Sequence, residues 1–433
     1  MTEENVHPAL VELLATRISS LEKGVPKDFV LCEAGEQGWS LLNGDLPLPL
    51  ALLKRSSLEQ NGRWMKRFTE AFNVKLAPHG KTTMSPQLFA AQISSGAWGL
   101  TAATVDHIRV YRSFGYNRIL MANQLIGKHN ISWVLDELER HPDFEFYCLV
   151  DSIDGADILQ RQIDEERPKQ RINVLIELGV PGGRTGIRSD AVAIETAHHI
   201  HTHNPNLRIG GIECYEGVLP AVEDRDARVA DLFKRVVNVA EACIDAGYFG
   251  DDNVIVSGAG SEYYDIAGKI FAASRHAPRF DSILRSGCYI AQDHLFYKRA
   301  FERVLARDMD AASIPGALSP ALEVWGSVLS IPEPGLAVLN VGKRDISFDF
   351  EMPKPIKWFR PGSHRHPLEL SGHSVSRLND QHTYCELSEG SPLKVEDMVA
   401  FGVAHPCTTF DKWRNIFVVD DDYTVVDAIR TFF

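Results

Sequence analysis

Lys75-Leu76-Ala77-Pro78-His79-Gly80-Lys81-Thr82 places a lone lysine just beyond a short apolar run. That run, Val74-Lys75-Leu76-Ala77, is the first of eight. The others are Trp98–Ala102, Ile119–Ala122, Phe144–Val150, Ile172–Leu178, Ile209–Tyr215, Val254–Ser257, and Ile283-Leu284 running into Tyr289-Ile290. Polar-faced stretches long enough for one helix each separate them. Asp190–Thr202 and Ala227–Ala246 carry apolar residues in helical steps, the latter closing at Gly247. Strands alternating with helices favour a parallel sheet covered on its outer face. Eight repeats over about 220 residues fit a (β/α)8 TIM-type barrel better than an open doubly wound sheet, which stays as the structural alternative. Barrel chemistry sits where the strands end, so Lys81 would point its amine into the barrel mouth. Such a lysine can be kept partly unprotonated and nucleophilic by its surroundings; a solvated surface charge is the alternative.

Working outward, residues 1–22 read as an amphipathic docking helix with Val11, Leu14, Ile18 and Leu21 at helical spacing. Asp45–Leu53 is apolar and punctuated by Pro47 and Pro49, which predicts an extended edge segment, followed by a helix near 55–72. Past about residue 305 the texture changes to strand-like pieces rich in Pro and Gly: Leu322–Ser330, Leu336–Val341, Ile356–Phe359, Thr383–Leu387, Met398–Val403 and Ile416–Val426. The expected organisation is therefore an N-terminal extension (1–45), a barrel (46–305, with 46–72 available to pack on the second domain) and a mostly β C-terminal domain (306–433).

With 433 residues, 44% hydrophobic and 24% charged, the chain can bury a large core and is neither disordered nor a disulfide-stapled miniprotein. A net charge of −13, without a Lys/Arg block interleaved with aromatics, removes the main source of affinity for nucleic acid. The seven cysteines are an odd number without framework spacing, as suits reduced thiols in the cytoplasm. Met1–Leu21 reads as neither a signal peptide nor a membrane span.

Four further segments could carry chemistry. Ser257-Gly258-Ala259-Gly260-Ser261 follows the seventh run and Arg285-Ser286-Gly287-Cys288-Tyr289 the eighth, the two loops that usually cradle phosphate in such barrels, although small-residue turns are often only turns. Glu177–Gly186 ends the fifth run with glycines around Arg184, which could reach an anionic or ring-acceptor group or lie solvated. Tyr215, at the rim of the sixth, could offer its face and hydroxyl to an aromatic ligand or be a core tyrosine. His405-Pro406-Cys407 follows an apolar run. If that segment is extended, imidazole and thiolate project to one side and could share a metal. The residue types suit zinc, and two ligands would leave it positions for water or substrate; a loop histidine beside a buried cysteine is the alternative.

In their order along the chain, Pro78-His79-Gly80-Lys81-Thr82, Gly183-Arg184-Thr185-Gly186, the Tyr215 segment, Ser257–Ser261, Gly287-Cys288-Tyr289 with Asp293, and His405–Phe410 resemble the D-serine dehydratase/D-threonine aldolase family of pyridoxal-phosphate enzymes, which has the alanine-racemase-like fold. The resemblance spans about residues 45–430. It implies that Lys81 holds the cofactor as a Schiff base, and that Ser257–Ser261 with Gly287–Tyr289 hold its phosphate. It further implies that Arg184 and Tyr215 contact the ring and that His405 and Cys407 carry Zn2+. The cofactor supplies an electron sink for α-proton removal, the displaced lysine a base, and the metal a Lewis acid for a poor hydroxide leaving group. Aldolase relatives look like His-x-Asp where this chain has His405-Pro406-Cys407, and a carboxylate suits harder ions. The expectation is thus a cytoplasmic, homodimeric ammonia-lyase that dehydrates and deaminates D-serine or a related 3-hydroxy-D-amino acid. D-threonine aldolase activity, racemisation and a non-catalytic cofactor carrier are the alternatives.

Overall fold

The computed structural model describes residues 7–433 except 168 and 221. The chain enters through a short helix α1 (Pro8–Leu14) and a two-residue antiparallel pair, β1 (Arg17–Ile18) and β2 (Phe29–Val30). The long amphipathic helix expected over 1–22 is therefore not formed, although residues 1–6 of it lie outside the described residues. Pairing of Arg17-Ile18 with Phe29-Val30 takes the backbone out of the helical ladder, burying Ile18 while Val11 and Leu21 face solvent.

Strand β3 (Leu50–Lys54) and helix α2 (Arg55–Ala71) follow. The edge placement expected for the β3 segment is corrected. It runs between two partners of the C-terminal domain, and all five of its residues are buried. Both prolines precede the strand proper, so every amide from Leu50 to Lys54 can pair.

The eight apolar runs become eight parallel strands: β4 (Lys75–Leu76), β5 (Leu100–Ala102), β6 (Arg118–Gln124), β7 (Glu145–Val150), β8 (Ile172–Leu178), β9 (Leu207–Cys214), β10 (Val254–Gly258) and β11 (Phe280–Leu284). Tyr289-Ile290, read as a continuation of the last, instead belong to a single 3-10 turn, Cys288–Ile290. The strands pair in the order β4-β11-β10-β9-β8-β7-β6-β5. A parallel bridge between His79 and Thr101, with Trp98 N–H donating to the Leu76 carbonyl, joins the two ends and closes the barrel. Helices α3 (Pro86–Ser94), α4 (Val105–Ser113), α5 (Lys128–Arg140), α6 (Ile153–Glu166), α7 (Asp190–His203), α8 (Arg225–Asp245), α9 (Tyr264–Ala272) and α10 (Phe296–Arg307) follow the strands one by one. Their apolar stripes join the main core. Ala77, Leu120, Leu149, Leu175, Ile255 and Ile283, one from each of six strand segments, form a second, separate cluster.

The C-terminal domain is mostly β: β12 (Leu322–Glu333), β13 (Leu336–Leu339), β14 (Lys354–Phe359), β15 (Leu368–Glu369), β16 (Ser374–Leu378), β17 (Thr383–Glu386), β18 (Met398–Gly402), β19 (Asn415–Val419) and β20 (Val425–Arg430). β12 is central, flanked by β18, β13 and β3, and β3 hands the sheet on to β19 and β20. The stretch read as one run, Ile416–Val426, is a hairpin turning at Asp420–Thr424. No helix among the described residues is long and apolar enough to cross a membrane.

Candidate active site

At the ends of the barrel strands, under the C-terminal domain, lies a cavity of about 290 Å3. Its wall carries Lys81, Arg184, Tyr215, Gly260, Ser261, Gly287, Cys288, His405 and Cys407. These nine expected residues come from both ends of the chain. The other four, Ser257, Gly258, Ala259 and Tyr289, lie behind the wall. Ser257 donates its hydroxyl to the Ile283 carbonyl at 2.9 Å, and Tyr289 is buried.

Lys81 sits on a 3-10 turn, Gly80–Thr82, that ends β4. Among the described residues its amine makes no hydrogen bond or ion pair. Burial, then the charges of Lys81 and Arg285, push the His79 imidazole well below its usual range, and the buried His79 Nδ1 has no partner. Arg184 lies over the Tyr215 ring, 4.9 Å from its centroid.

Two acids that the sequence reading passed over project from apolar strands into the same wall. Glu177 accepts from Gln124 Nε2 and Thr185 Oγ1, each at 2.6 Å. Glu213 is fully buried 2.7 Å from Arg285 Nη2, yet neither of its oxygens has an aligned donor. Burial, against the pull of Arg285, pushes its carboxyl up to about 8. A lone acid near the end of an otherwise apolar barrel strand was the signal available for both, since burying a carboxylate without purpose is costly.

The turn after β10 adds a detail that composition does not reveal. The buried Glu216 carboxylate accepts from Ala259 N (3.1 Å) and Gly260 N (2.7 Å). Those amides are already engaged. Gly260, Ser261 and the Gly287–Cys288 turn are the parts of the expected phosphate cradle that line the cavity.

In the C-terminal domain, His405-Pro406-Cys407 is not extended as expected. Pro406 adopts φ −56°, ψ −42° and caps a short helix, Cys407–Phe410. A proline's fixed φ is already helical, so it starts that turn readily. Both side chains still face the cavity. His405 Nδ1 is 2.6 Å from Asp349 Oδ2, and its ring stacks on Phe350 with centroids 4.0 Å apart. Cys407 Sγ lies 3.5 Å from Cys288 Sγ and 3.4 Å from Thr82 Oγ1. Its hydrogen bond with Cys288, then those with His405 and Thr82, hold the Cys407 thiol well below its ordinary range while Cys288 is raised. Burial lowers His405, but Cys407 and Asp349 outweigh it and raise the imidazole overall.

These donors fit the groups expected. A free amine, an arginine-backed aromatic face, small-residue turns and an unsatisfied buried acid suit a flat, charged cofactor. An imidazole oriented through Nδ1 beside a cysteine sulfur suits a soft metal. Among the described residues no three His, Cys, Asp or Glu side chains are grouped to hold a metal, so His405 and Cys407 would leave coordination positions open.

A closed parallel barrel with a β domain over its mouth defines the alanine-racemase-like class, and solved alanine-racemase-like proteins share this architecture. Within it, residues 321–419 match the family described as the putative serine dehydratase domain. The chain is 22% identical over 377 residues to the D-threonine aldolase of an Arthrobacter species, covering 86% of this chain and 89% of that protein. The structure of D-threonine aldolase from Filomicrobium marinum superposes with a TM-score of 0.73 at 21% identity, covering 91% of this chain and 97% of the other. D-threo-3-hydroxyaspartate dehydratase from Delftia sp. HT23 superposes at 0.68 with 19% identity, covering 91% and 99%.

Proposed function

We propose that this protein is a pyridoxal-phosphate-dependent lyase that uses a zinc ion to remove water, and then ammonia, from D-serine or a related 3-hydroxy-D-amino acid, giving a 2-oxo acid. The carrying observation is that Lys81 and the His405–Cys407 pair, more than three hundred positions apart in the chain, line one cavity.

The bound cofactor would supply the electron sink that makes an α-proton acidic, and the metal the Lewis acidity that hydroxide needs as a leaving group. The chain's own residues supply the rest. Lys81 Nζ would anchor the cofactor and would be the base that accepts the α-proton. Arg184, braced on Tyr215, would present a fixed cation to the ring. Ser261 and the Gly287–Cys288 turn would hold the phosphate. Asp349 holds His405 Nδ1, so Nε2 is the nitrogen left for the metal beside Cys407 Sγ. The enamine released then hydrolyses in solution to the 2-oxo acid and ammonia. On the same reading the protein works in the cytoplasm as a homodimer.

The D-threonine aldolase relatives give a second reading, retro-aldol cleavage at the same site. One assay separates the two: products from D-serine, L-serine and D-threonine, with metal removed by chelation and zinc restored. Expected are 2-oxo acid and ammonia from the D-amino acid alone, lost on chelation and regained with zinc. Glycine and an aldehyde would replace the dehydratase by the aldolase. Lys81→Ala is expected to abolish the bound-cofactor absorbance and lower turnover by on the order of 10^3-fold or more; a variant that keeps both removes Lys81 from its assigned role.

A further inference from the structure

The metal and cofactor roles leave one close pair unexplained. Cys288, on the turn after the last barrel strand, places its sulfur 3.5 Å from that of Cys407, on the first turn of the helix in the C-terminal domain. Thr82 Oγ1 completes a triangle, 3.6 Å from Cys288 Sγ and 3.4 Å from Cys407 Sγ. Cys407 is part-exposed on the cavity wall, where a small oxidant can reach it, and Cys288, itself buried, lines the same cavity beside it. The remaining thiols are not so placed: Cys148, Cys214, Cys243 and Cys385 are buried, and Cys32 is exposed without a thiol partner.

We propose that Cys288 and Cys407 form a peroxide-sensitive thiol pair whose disulfide bridges the barrel and the C-terminal domain at the cavity wall. A disulfide has sulfurs about 2.05 Å apart, so the pair must close by roughly 1.5 Å, within reach of small side-chain torsions. In reducing compartments, disulfides that do form are mostly transient and redox-sensing.

The chemistry balances with a hydroperoxide as oxidant. The Cys407 sulfur attacks one peroxide oxygen, the O–O bond breaks, and the other oxygen leaves as hydroxide, taking a proton to become water. The sulfenic acid at Cys407 is then attacked by the Cys288 sulfur, which gives up its proton. The S–S bond forms, the S–O bond breaks, and a second water leaves. Two thiols lose two electrons and the peroxide gains them. A thiol reductant reverses the change.

The consequence for turnover rests on the function proposed above, because a disulfide removes Cys407 from any metal and ties the two halves of the site together. The pair itself does not rest on it. A bound metal would occupy the Cys407 sulfur and shield it, so metal and disulfide exclude one another.

The test treats the native, metal-stripped chain with near-stoichiometric hydrogen peroxide and maps all seven cysteines by peptide mass spectrometry. Expected is a linked Cys288–Cys407 peptide pair, lighter by two hydrogens and separated by dithiothreitol. Zinc-loaded protein should form it about tenfold more slowly or less, releasing zinc to a chromogenic chelator in step. In Cys288→Ser, Cys407 lacks its resolving partner and should advance to the sulfinic acid, which dithiothreitol does not reverse. If the two cysteines are oxidised independently, or if only Cys32 reacts while both stay reduced, the proposal falls. Linked peptides in a protein that never retains zinc would uphold the thiol pair and overturn the metal role instead.

Discussion

Asp349 reaches His405 from a loop 56 positions upstream, and its two oxygens are shared between His405 Nδ1 at 2.6 Å and Thr408 Oγ1 at 2.9 Å. A carboxylate there both orients the ring and makes its other nitrogen a better donor. Asp349→Asn keeps the shape and removes the charge, so zinc affinity should fall about 10- to 100-fold, measured by competition with a calibrated chelator. The melting temperature should barely move, because the Asp349 side chain is 41% exposed; a large drop would make the residue structural. Asp349 was invisible in the sequence because nothing about Phe348-Asp349-Phe350 marks it as near His405; only the fold joins them. Lys81, His405 and Cys407 stood out as candidates just past apolar runs, but position alone left each with an ordinary alternative, and it was the ordered set of motifs resembling one family that gave them roles. Glu213 and Glu177 were half-legible, as acids interrupting otherwise apolar strands.

At the scale of elements, the turn after β11 and the turn after β4 touch through a glycine. A methyl group on Gly287 would lie 2.5 Å from the His79 carbonyl oxygen and 2.9 Å from its Cβ, backbone and near-backbone atoms that cannot swing aside. Gly260, on the neighbouring turn, is open by comparison, its nearest contact being Glu216 Oε1 at 3.5 Å. Gly287→Ala should therefore cost about 1–3 kcal/mol, read as a lower denaturant midpoint, while Gly260→Ala should stay within about 1 kcal/mol of the parent. Equal midpoints for the two would refute the contact argument. Periodicity revealed the eight barrel strands because each is a short apolar run that alternates with a helix. It misplaced β3 because proline was read as belonging to the strand rather than preceding it. It also misjudged the His405 segment, because the restriction Pro406 places on its predecessor was given more weight than its own helical φ.

Across the whole molecule, His294 couples the barrel to the domain above it, its amide donating to the Val403 carbonyl. Burial lowers its imidazole to about 4, and the buried Nδ1 has no partner. The native state therefore holds His294 neutral where the unfolded chain, near 6.5, would bind a proton. Between those values the unfolded state takes up more protons, so the stability His294 contributes is complete above about pH 6.5 and is lost as pH falls towards 4, by about 3 kcal/mol at most. The raw pH profile will not isolate this. Asp293 and Glu213, pushed up to about 7 and about 8 by burial, bind extra protons in the native state and work in the opposite direction over much of the same range. The informative quantity is the difference between the parent and His294→Gln, which cannot take up the proton in either state. Measured by chemical unfolding from pH 7.5 to 4, the parent should lose stability relative to the variant only below about 6.5. A difference that stays flat across that range would mean that His294 reaches water in the native state and that the seam between barrel and β domain is wetter than its packing implies.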